Sequence, residues 1–368
     1  MSNAYSGNIR CFCHIVLITL LLLCKPVHAF AHDSFELHLL DVGQGQSVLI
    51  KDSDHCMLID GGGRNSSSFV VSYLKQEGIA SLDYVLLSHY DEDHMAGLIG
   101  VLSVFKTETL MVPSYEGEGV LFNSFSDAAL SNDCTIIHPA AGTTYQMGDS
   151  IIEIVGPINP VYEEENDNSL CVKISYGDSK FLICGDAEQQ SEYDMVSSGE
   201  DLETDVYVVS HHGSSSSSSE YFLDAINPNY ALISCGYENI YGHPTEETLQ
   251  KLKARNISLF RTDIQGTIII YSDGTELTFN TEATDDWSPG AEYIDSDFAK
   301  DNQEEENLSE ASSTEITASY VCNTNTKKFH YPSCPSVMQM SEKNRMYTEL
   351  GRDELIAQGF QPCGNCKP

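Results

Sequence analysis

Between Ser88 and Leu98 the chain reads SHYDEDHMAGL, so that four side chains able to hold a divalent metal, His89, Asp91, Asp93 and His94, fall within six residues. They come where an apolar strand-like run, Asp83 to Ser88 (DYVLLS), gives out and a helical pattern near 94–104 begins. In the extended part His89 and Asp91 project to one side by the period of two, whereas Asp93 and His94 start the next turn and project to an adjacent point. That spacing suits two neighbouring metal ions. The plainer alternative is a solvated acidic loop with incidental histidines, but such a loop needs neither the two flanking histidines nor the Asp60-Gly61-Gly62 turn upstream.

The flanking pattern says what carries this cluster. Short apolar runs end at an Asp or a Gly group: ELHLLDV before Gly43-Gln44-Gly45, SVLIKD, then Cys56-Met57-Leu58-Ile59-Asp60 before Gly61-Gly62-Gly63. Further strands are expected near 107–112, 151–155, 170–176, 180–184, 205–210, 230–234, 257–261 and 266–271. Helices are expected over 67–78 and near 94–104, 187–197, 219–225 and 245–255. Interleaved strands and helices argue for an α/β sandwich. Gly43-Gln44-Gly45 lacks the Lys-Ser/Thr of a phosphate loop and reads as a hairpin turn near the metals. Ser214 to Ser219 reads either as a helix-start cradle for phosphate or as a flexible loop. His243, in Tyr241-Gly242-His243-Pro244, is a candidate for protonating a leaving group or holding a phosphoryl oxygen, against a water-exposed histidine at a helix start. Arg261 either holds substrate or pairs with Asp263, and pairing is the simpler role.

Charge and composition divide the chain. Residues 32–284 carry 10 basic and 40 acidic side chains, residues 285–315 carry 1 and 11, and residues 320–368 carry 6 and 4. The largest part therefore lacks the basic footprint of a nucleic-acid binder. Residues 1–31 read as an export signal: Arg10 precedes an apolar run from Ile15 to Leu23, too short to span a bilayer comfortably, and Ala29-Phe30-Ala31 has the spacing of a cleavage site. No later stretch is long and apolar enough to cross a membrane, so a secreted or extracytoplasmic protein is expected. The hydrolase-sized domain spans 32–284. Residues 285–318 form an acidic linker with too little apolar surface to order itself, and 319–368 form a small module. Cys56, Cys134, Cys171, Cys184 and Cys235 make a poor disulfide framework, and Cys171 and Cys184 read as buried small hydrophobes, with one bridge among the five left open.

The motifs LDVGQGQSVLI (40–50), LIDGG (58–62), SHYDEDHMAGL (88–98), NDNSLCVKI (166–174), LICGDAE (182–188), HHGSSSSSS (211–219), YGHPTEETL (241–249) and RTD (261–263) resemble, in order, the metallo-β-lactamase superfamily. Within it they are similar to the hydrolase-like domain of ComEC-type competence proteins, which take up DNA and whose metal motif has an aspartate where Asp91 stands. The resemblance implies an αββα sandwich with the metal site at one edge of its two sheets. It implies His89 and Asp91 at one metal, Asp93 and His94 at the other, and Asp186 as the bridging carboxylate. Either His211 or His212 matches the late histidine, with the alignment of VVSHHG favouring His212. The family's middle histidine falls on Asn166-Asp167-Asn168-Ser169, where Asp167 could supply an oxygen and make the first site one that prefers manganese or holds metal weakly. Two divalent ions, zinc or manganese, are expected. Two metals about 3.5–4 Å apart can activate water at neutral pH and stabilise both oxygens of a phosphodiester displacement. Asp93, through that water, and His243 are the catalytic residues this reading names.

A second constellation closes the chain. His330-x₃-Cys334 and Cys363-x₂-Cys366 give four ligands for one tetrahedral structural zinc, with a disulfide hairpin as the alternative and Cys322 outside the pattern. The segment resembles the small zinc module of the Ada DNA-repair protein, His330 standing where that family has its first cysteine. The expected function is an exported metal-dependent hydrolase, a phosphodiesterase or nuclease acting on extracellular DNA. The alternatives are a hydrolase of a small ester, cyclic nucleotide or lactam, and a metal-holding binding protein without turnover.

Overall fold

The computed structural model describes residues 35–290 and, near the C-terminus, 320–324, 326–330, 337, 340, 345–348, 350 and 352–363. The export signal expected over 1–31, most of the linker, Cys334 and Cys366 lie outside the described residues.

Strands β1 (Phe35–Leu39), β2 (Val48–Asp52), β3 (His55–Ile59), β4 (Ser81–Leu86), β5 (Lys106–Met111) and β6 (Thr135–Ile137) follow one another in the first sheet. Strands β7 (Thr144–Met147), β8 (Ser150–Gly156), β9 (Cys171–Tyr176), β10 (Ser179–Ile183), β11 (Val206–Val208), β12 (Tyr230–Ile233) and β13 (Ser258–Arg261) make the second sheet. The chain then returns to the first through β14 (Ile268–Ser272) and β15 (Leu277–Phe279). The orders are β15-β14-β1-β2-β3-β4-β5-β6 and β13-β12-β11-β10-β9-β8-β7. In each sheet one end is antiparallel and the other parallel: β3 to β6 in the first, β10 to β13 in the second.

Alternation builds three apolar layers. Val48 and Ile50 face the space between the sheets with Leu37, Leu39, Ile174 and Ile183, and Phe35 stacks on Phe181 at 4.6 Å. Leu49, on the opposite face by the period of two, joins Leu58 and Val85 under the helices. Those helices are α1 (Ser67–Gln76), α2 (Glu92–Val104) and α3 (Gly119–Asn132). The outer face of the second sheet is covered by α4 (Gln189–Ser197), α5 (Glu220–Ile226) and α6 (Glu246–Ala254), around Leu182, Tyr207 and Ala231. α6 shows why such a segment is helical. Thr245 caps it by accepting from Thr248 N, Glu246 and Glu247 sit at the positive end, and Lys251 and Lys253 sit in the last turn, while Leu249 and Leu252 are buried. The expected αββα sandwich is the architecture found.

Three differences from the sequence pattern have physical reasons. α3 was not expected, because exposed Val120 and Leu130 blur a stripe that in fact runs through Leu121, Phe125, Ala128 and Ala129. β6, β7 and β15 are short, with mixed burial. Past Thr284, where composition places a linker, the chain stays against the domain as far as Gly290. Trp287 packs on the outer core with Lys253 Nζ 5.4 Å from its ring centre, Arg261 Nη1 donates to Ser288 O, and Gly290 N donates to Pro244 O at 2.8 Å. An indole, one side-chain hydrogen bond and one backbone hydrogen bond outweigh the acidic composition of that stretch.

The C-terminal residues belong to a separate compact unit. Its described part is a four-stranded sheet, β18-β16-β17-β19 (β16 Tyr320–Asn323, β17 Lys328–His330, β18 Arg345–Thr348, β19 Gln361–Pro362), with helix α7 (Arg352–Ala357). Cys322, Phe329, Leu355 and Phe360 form one small core.

Candidate metal centre

Five segments leave the C-terminal ends of parallel strands at one edge of the sandwich. Asp60 follows β3, His89 follows β4, Asp186 follows β10, the turn Ser210–Gly213 follows β11 and Ser234 follows β12. Such strand ends are where open α/β sheets place ligands. The first turn of α2 comes down on the Gly61-Gly62 turn, where Gly61 N donates to His94 O and Gly97 N to Gly62 O, both at 2.8 Å. A Cβ at Gly97 would run into the Gly61 carbonyl. Gly45, at φ 125°, has no room for a side chain beside the Asp93 carbonyl, and Gln46 N donates to that carbonyl at 3.1 Å. The Gly43-Gln44-Gly45 turn therefore packs backbone to backbone beside the cluster, as expected of a hairpin turn there.

Four imidazoles share one orientation. Each is anchored through Nδ1: His89 at 3.0 Å from Ser88 Oγ, His94 at 2.8 Å from Asp60 Oδ2, His211 at 3.1 Å from both Glu188 Oε1 and Ser216 Oγ, His212 at 2.8 Å from Ser234 O. Each presents Nε2 to the Asp186 carboxylate: His94 at 3.1 Å from Oδ1, and His212, His211 and His89 at 3.5, 3.7 and 3.9 Å from Oδ2. Asp91 Oδ2 lies 3.7 Å from His89 Nε2, and Asp93 Oδ2 lies 3.4 Å from His212 Nε2. Two groups have ligand atoms close enough to share an ion, His89 with His94 and Asp186, and Asp93 with His94 and His212. Left-handed backbone at His211 and at His212 turns both rings toward Asp186, and of the two only His212 has its ligand atom within one of these groups.

The residues fit a cation. His89 Nε2 is buried with no hydrogen-bond partner, Asp186 Oδ1 is buried and, though 3.1 Å from His94 Nε2, not in hydrogen-bond geometry with it, and the Nε2 atoms of His94 and His212 face each other at 3.3 Å, an arrangement two ring nitrogens do not favour by themselves. Burial opposes charge on His94, yet Asp186 and Asp60 outweigh it and raise its pKa well above the imidazole range. For His212 too burial opposes charge, and Asp186 and Asp93 lift it to about 9. Against the same burial, the two histidines hold Asp186 and Asp93 well below the usual carboxylate range. A buried pocket whose carboxylates raise the pKa of its imidazoles is one that stabilises positive charge. Anchored Nδ1 atoms with inward Nε2 atoms are the support that metal-binding histidines receive.

Residues 40–237 match the family model of the metallo-beta-lactamase superfamily. The chain belongs to the metallo-β-lactamase superfamily. It is similar to ComE operon protein 3 of Bacillus subtilis (strain 168), 29% identical over 251 residues, covering 63% of this chain and 32% of that protein. Competence protein ComA of Neisseria gonorrhoeae is 31% identical over 230 residues, covering 62% and 31%. Recombination protein 2 of Haemophilus influenzae is 29% identical over 289 residues, covering 75% and 34%. The chain thus spans about a third of the length of these relatives.

Within this metallo-β-lactamase fold, one expected ligand is not brought to the centre. Asp167 Oδ1 instead accepts from Glu188 N and Ser191 N, both at 3.0 Å, and so caps α4. A carboxylate at a helix start satisfies amides that nothing else reaches. The serine run is neither a phosphate cradle nor a loose loop. The buried Glu192 carboxylate fills the start of α5, accepting from Ser218 N at 2.5 Å and Ser219 N at 2.9 Å, and Ser216 Oγ supports His211. Arg261 pairs with Asp263, Nη2 to Oδ2 at 2.7 Å, as expected. His243 is buried rather than exposed: its ring centre is 5.5 Å from that of His211 and 6.4 Å from that of His212, and its Nδ1 has no partner. Burial, then His212 and His211, push its pKa down to about 4.

The residue the sequence reading passed over is Asp60. Fully buried, it accepts from Gln46 Nε2 at 2.9 Å, Ser88 N at 2.7 Å and Ser88 Oγ at 2.7 Å, and it faces His94 Nδ1. Its signal was an aspartate ending an apolar strand before a glycine pair. Cys171 and Cys184 are buried, and all five cysteines of this domain are free thiols. In the C-terminal unit, Cys363, just past β19, donates its N–H to Phe329 O on β17 at 2.9 Å, next to His330; both side chains are buried and His330 Nδ1 has no partner.

Proposed function

We propose that the protein is an exported, metal-dependent phosphodiesterase that cleaves DNA. The observation that carries hydrolysis is the convergence of four anchored imidazoles on Asp186. The choice of DNA rests on the likeness to proteins described as competence and recombination proteins. His89, Asp91 and His211 on one side, Asp93, His94 and His212 on the other, and Asp186 between them would hold two divalent ions, zinc or manganese. With His211 in place of Asp167, the first set offers two imidazoles and two carboxylates, a donor mixture suited to either metal. Bound there, the ions supply a nucleophile by acidifying water and stabilise charge on phosphoryl oxygens.

The chain's own residues do the rest. Asp60, Ser234 O, Glu188 and Ser216 hold the rings in one tautomer and orientation. His243, uncharged at neutral pH and next to both late histidines, donates a hydrogen bond to a phosphoryl oxygen rather than protonating the leaving group. A neutral ring costs less to bury than a charged one. In the C-terminal unit His330 and Cys363, with Cys334 and Cys366, would hold one structural zinc, and the basic balance of residues 320–368 would tether the acidic hydrolase domain to DNA.

The balance of 10 basic against 40 acidic residues over 32–284 favours a second reading, a hydrolase of a smaller ester. Single-stranded DNA, duplex DNA, RNA, bis-p-nitrophenyl phosphate and nitrocefin, each assayed with manganese and with zinc, separate the two. Cleavage of DNA supports the first reading. Turnover of the small ester without DNA cleavage supports the second, and no turnover at all leaves a metal-holding protein.

A further inference from the structure

Two grooves meet at Glu92, one on the Asp91 side of the centre and one on the Asp93 side. Their volumes, ≈ 480 and ≈ 500 Å³, are alike, and each is large enough for a nucleotide. They differ in how many carboxylates line them and in whether a cation is present. The Asp91-side groove is lined by Asp91, Glu92, Glu116, Glu118, Glu163 and Glu165, with no Lys or Arg among its lining residues. The Asp93-side groove has two carboxylates, Glu92 and Asp93, but also a cation, Arg64, with Gln44, Asn65 and the ring of Tyr241.

Resting on the reading of the site as a DNA phosphodiesterase, we infer that substrate lies on one side of the metal centre only: a base stacks on Tyr241 and its phosphate meets Arg64 in the Asp93-side groove, while the carboxylates of the other groove turn the strand away. Tyr241 is 59% exposed, and its ring lies nearly parallel to that of His243, centres 5.7 Å apart, so a base on its open face is set next to the centre. Tyr237 and Ile240 on the same loop are also exposed. Stacking on an open aromatic face is how sequence-tolerant single-strand binders hold bases. Arg64 is paired with Glu92, Nε to Oε1 at 3.0 Å, but both side chains are more than half exposed, and a pair so exposed is weakly held and free to exchange for a phosphate. A strand continuing past the centre would bring its next phosphate among six carboxylates, where like charge repels it. The site therefore takes a strand from its end.

The test uses the full chain with manganese and compares linear with circular single-stranded DNA of one sequence, with bis-p-nitrophenyl phosphate as a control for the centre. The parent is expected to degrade the linear strand and spare the circle. Tyr241→Ala is expected to raise KM for the linear strand about tenfold, the scale of one lost stack, with kcat within about twofold, and Tyr241→Phe to restore it. Replacing Glu116, Glu163 and Glu165 together by Gln is expected to open the circle to cleavage. Equal cleavage of circle and linear strand by the parent, or an unchanged KM in Tyr241→Ala, overturns the one-sided groove. Turnover of the small ester with neither DNA cut overturns the nuclease reading itself, and the inference with it.

Discussion

Among the described residues of the hydrolase domain, histidine and carboxylates crowd within reach of a common ion in two places, and these differ in what is left over. At Glu36, His38 and Glu77 every group has a partner. His38 Nδ1 lies 2.7 Å from Tyr73 Oη and its Nε2 lies 2.8 Å from Glu36 Oε2, while Lys51 Nζ donates to Glu36 at 2.9 Å and to Glu77 at 3.1 Å. At the edge of the sandwich, His89 Nε2 and Asp186 Oδ1 are buried without a well-formed hydrogen bond and two ring nitrogens confront each other. Proximity of ligand types is common to both. What separates a cation site from a closed ion-pair network is unfilled coordination among ligand atoms that converge, because buried polar atoms without a hydrogen bond are few and an ion is one thing that satisfies them.

The largest effect expected from this contrast is at Asp186. Asp186→Ala, Asp93→Ala or His94→Ala should each lower turnover by at least about 10³, the scale set by losing an acidified water, with circular dichroism close to the parent's. Activity within about tenfold of the parent would put the centre elsewhere. Next in size, His243→Ala should cost about 10²-fold in kcat, as the loss of one donor to developing charge does. A rate unchanged by that substitution would return His243 to a packing role.

How much of this was legible depended on distance along the chain. His89, Asp91, Asp93 and His94 declared themselves because the strand end and the helix start that orient them are in the same stretch. Asp186 and the His211-His212 pair were legible as strand-end residues only through the family's motif order. Asp60 was not, because its partner His94 is 34 residues away and only the packing of α2 on Gly61 brings them together. Asp167 misled for a similar reason. A carboxylate in a polar loop reads equally as ligand or cap, and the helix it caps begins more than twenty residues later. The serine run hid its partner likewise, since Glu192 precedes it on α4.

The smallest expected effect is in the closed network. The Glu36 carboxyl is lowered to about 2, chiefly by its hydrogen bond with His38, which outweighs its partial burial, and further by Lys51. A depressed carboxyl contributes stability above its unfolded pKa and loses it as pH falls through the folded value. Glu36→Gln should therefore lower stability by about 1 kcal/mol at neutral pH, a partly solvent-screened pair. The difference in Tm from the parent should shrink between about pH 4.5 and pH 2. Turnover should not change. A difference in Tm that persists unchanged at pH 2 would remove Glu36 from the network's electrostatics.

Metal content, measured on the full chain by mass spectrometry alongside phosphodiester turnover, tests the contrast most directly. After chelation and return of manganese or zinc, the parent should regain its ions and its turnover together; Asp186→Ala should fail to regain either at the centre, and His38→Ala should regain both. Full turnover by the chelated parent, or loss of ions in His38→Ala but not in Asp186→Ala, would contradict the account.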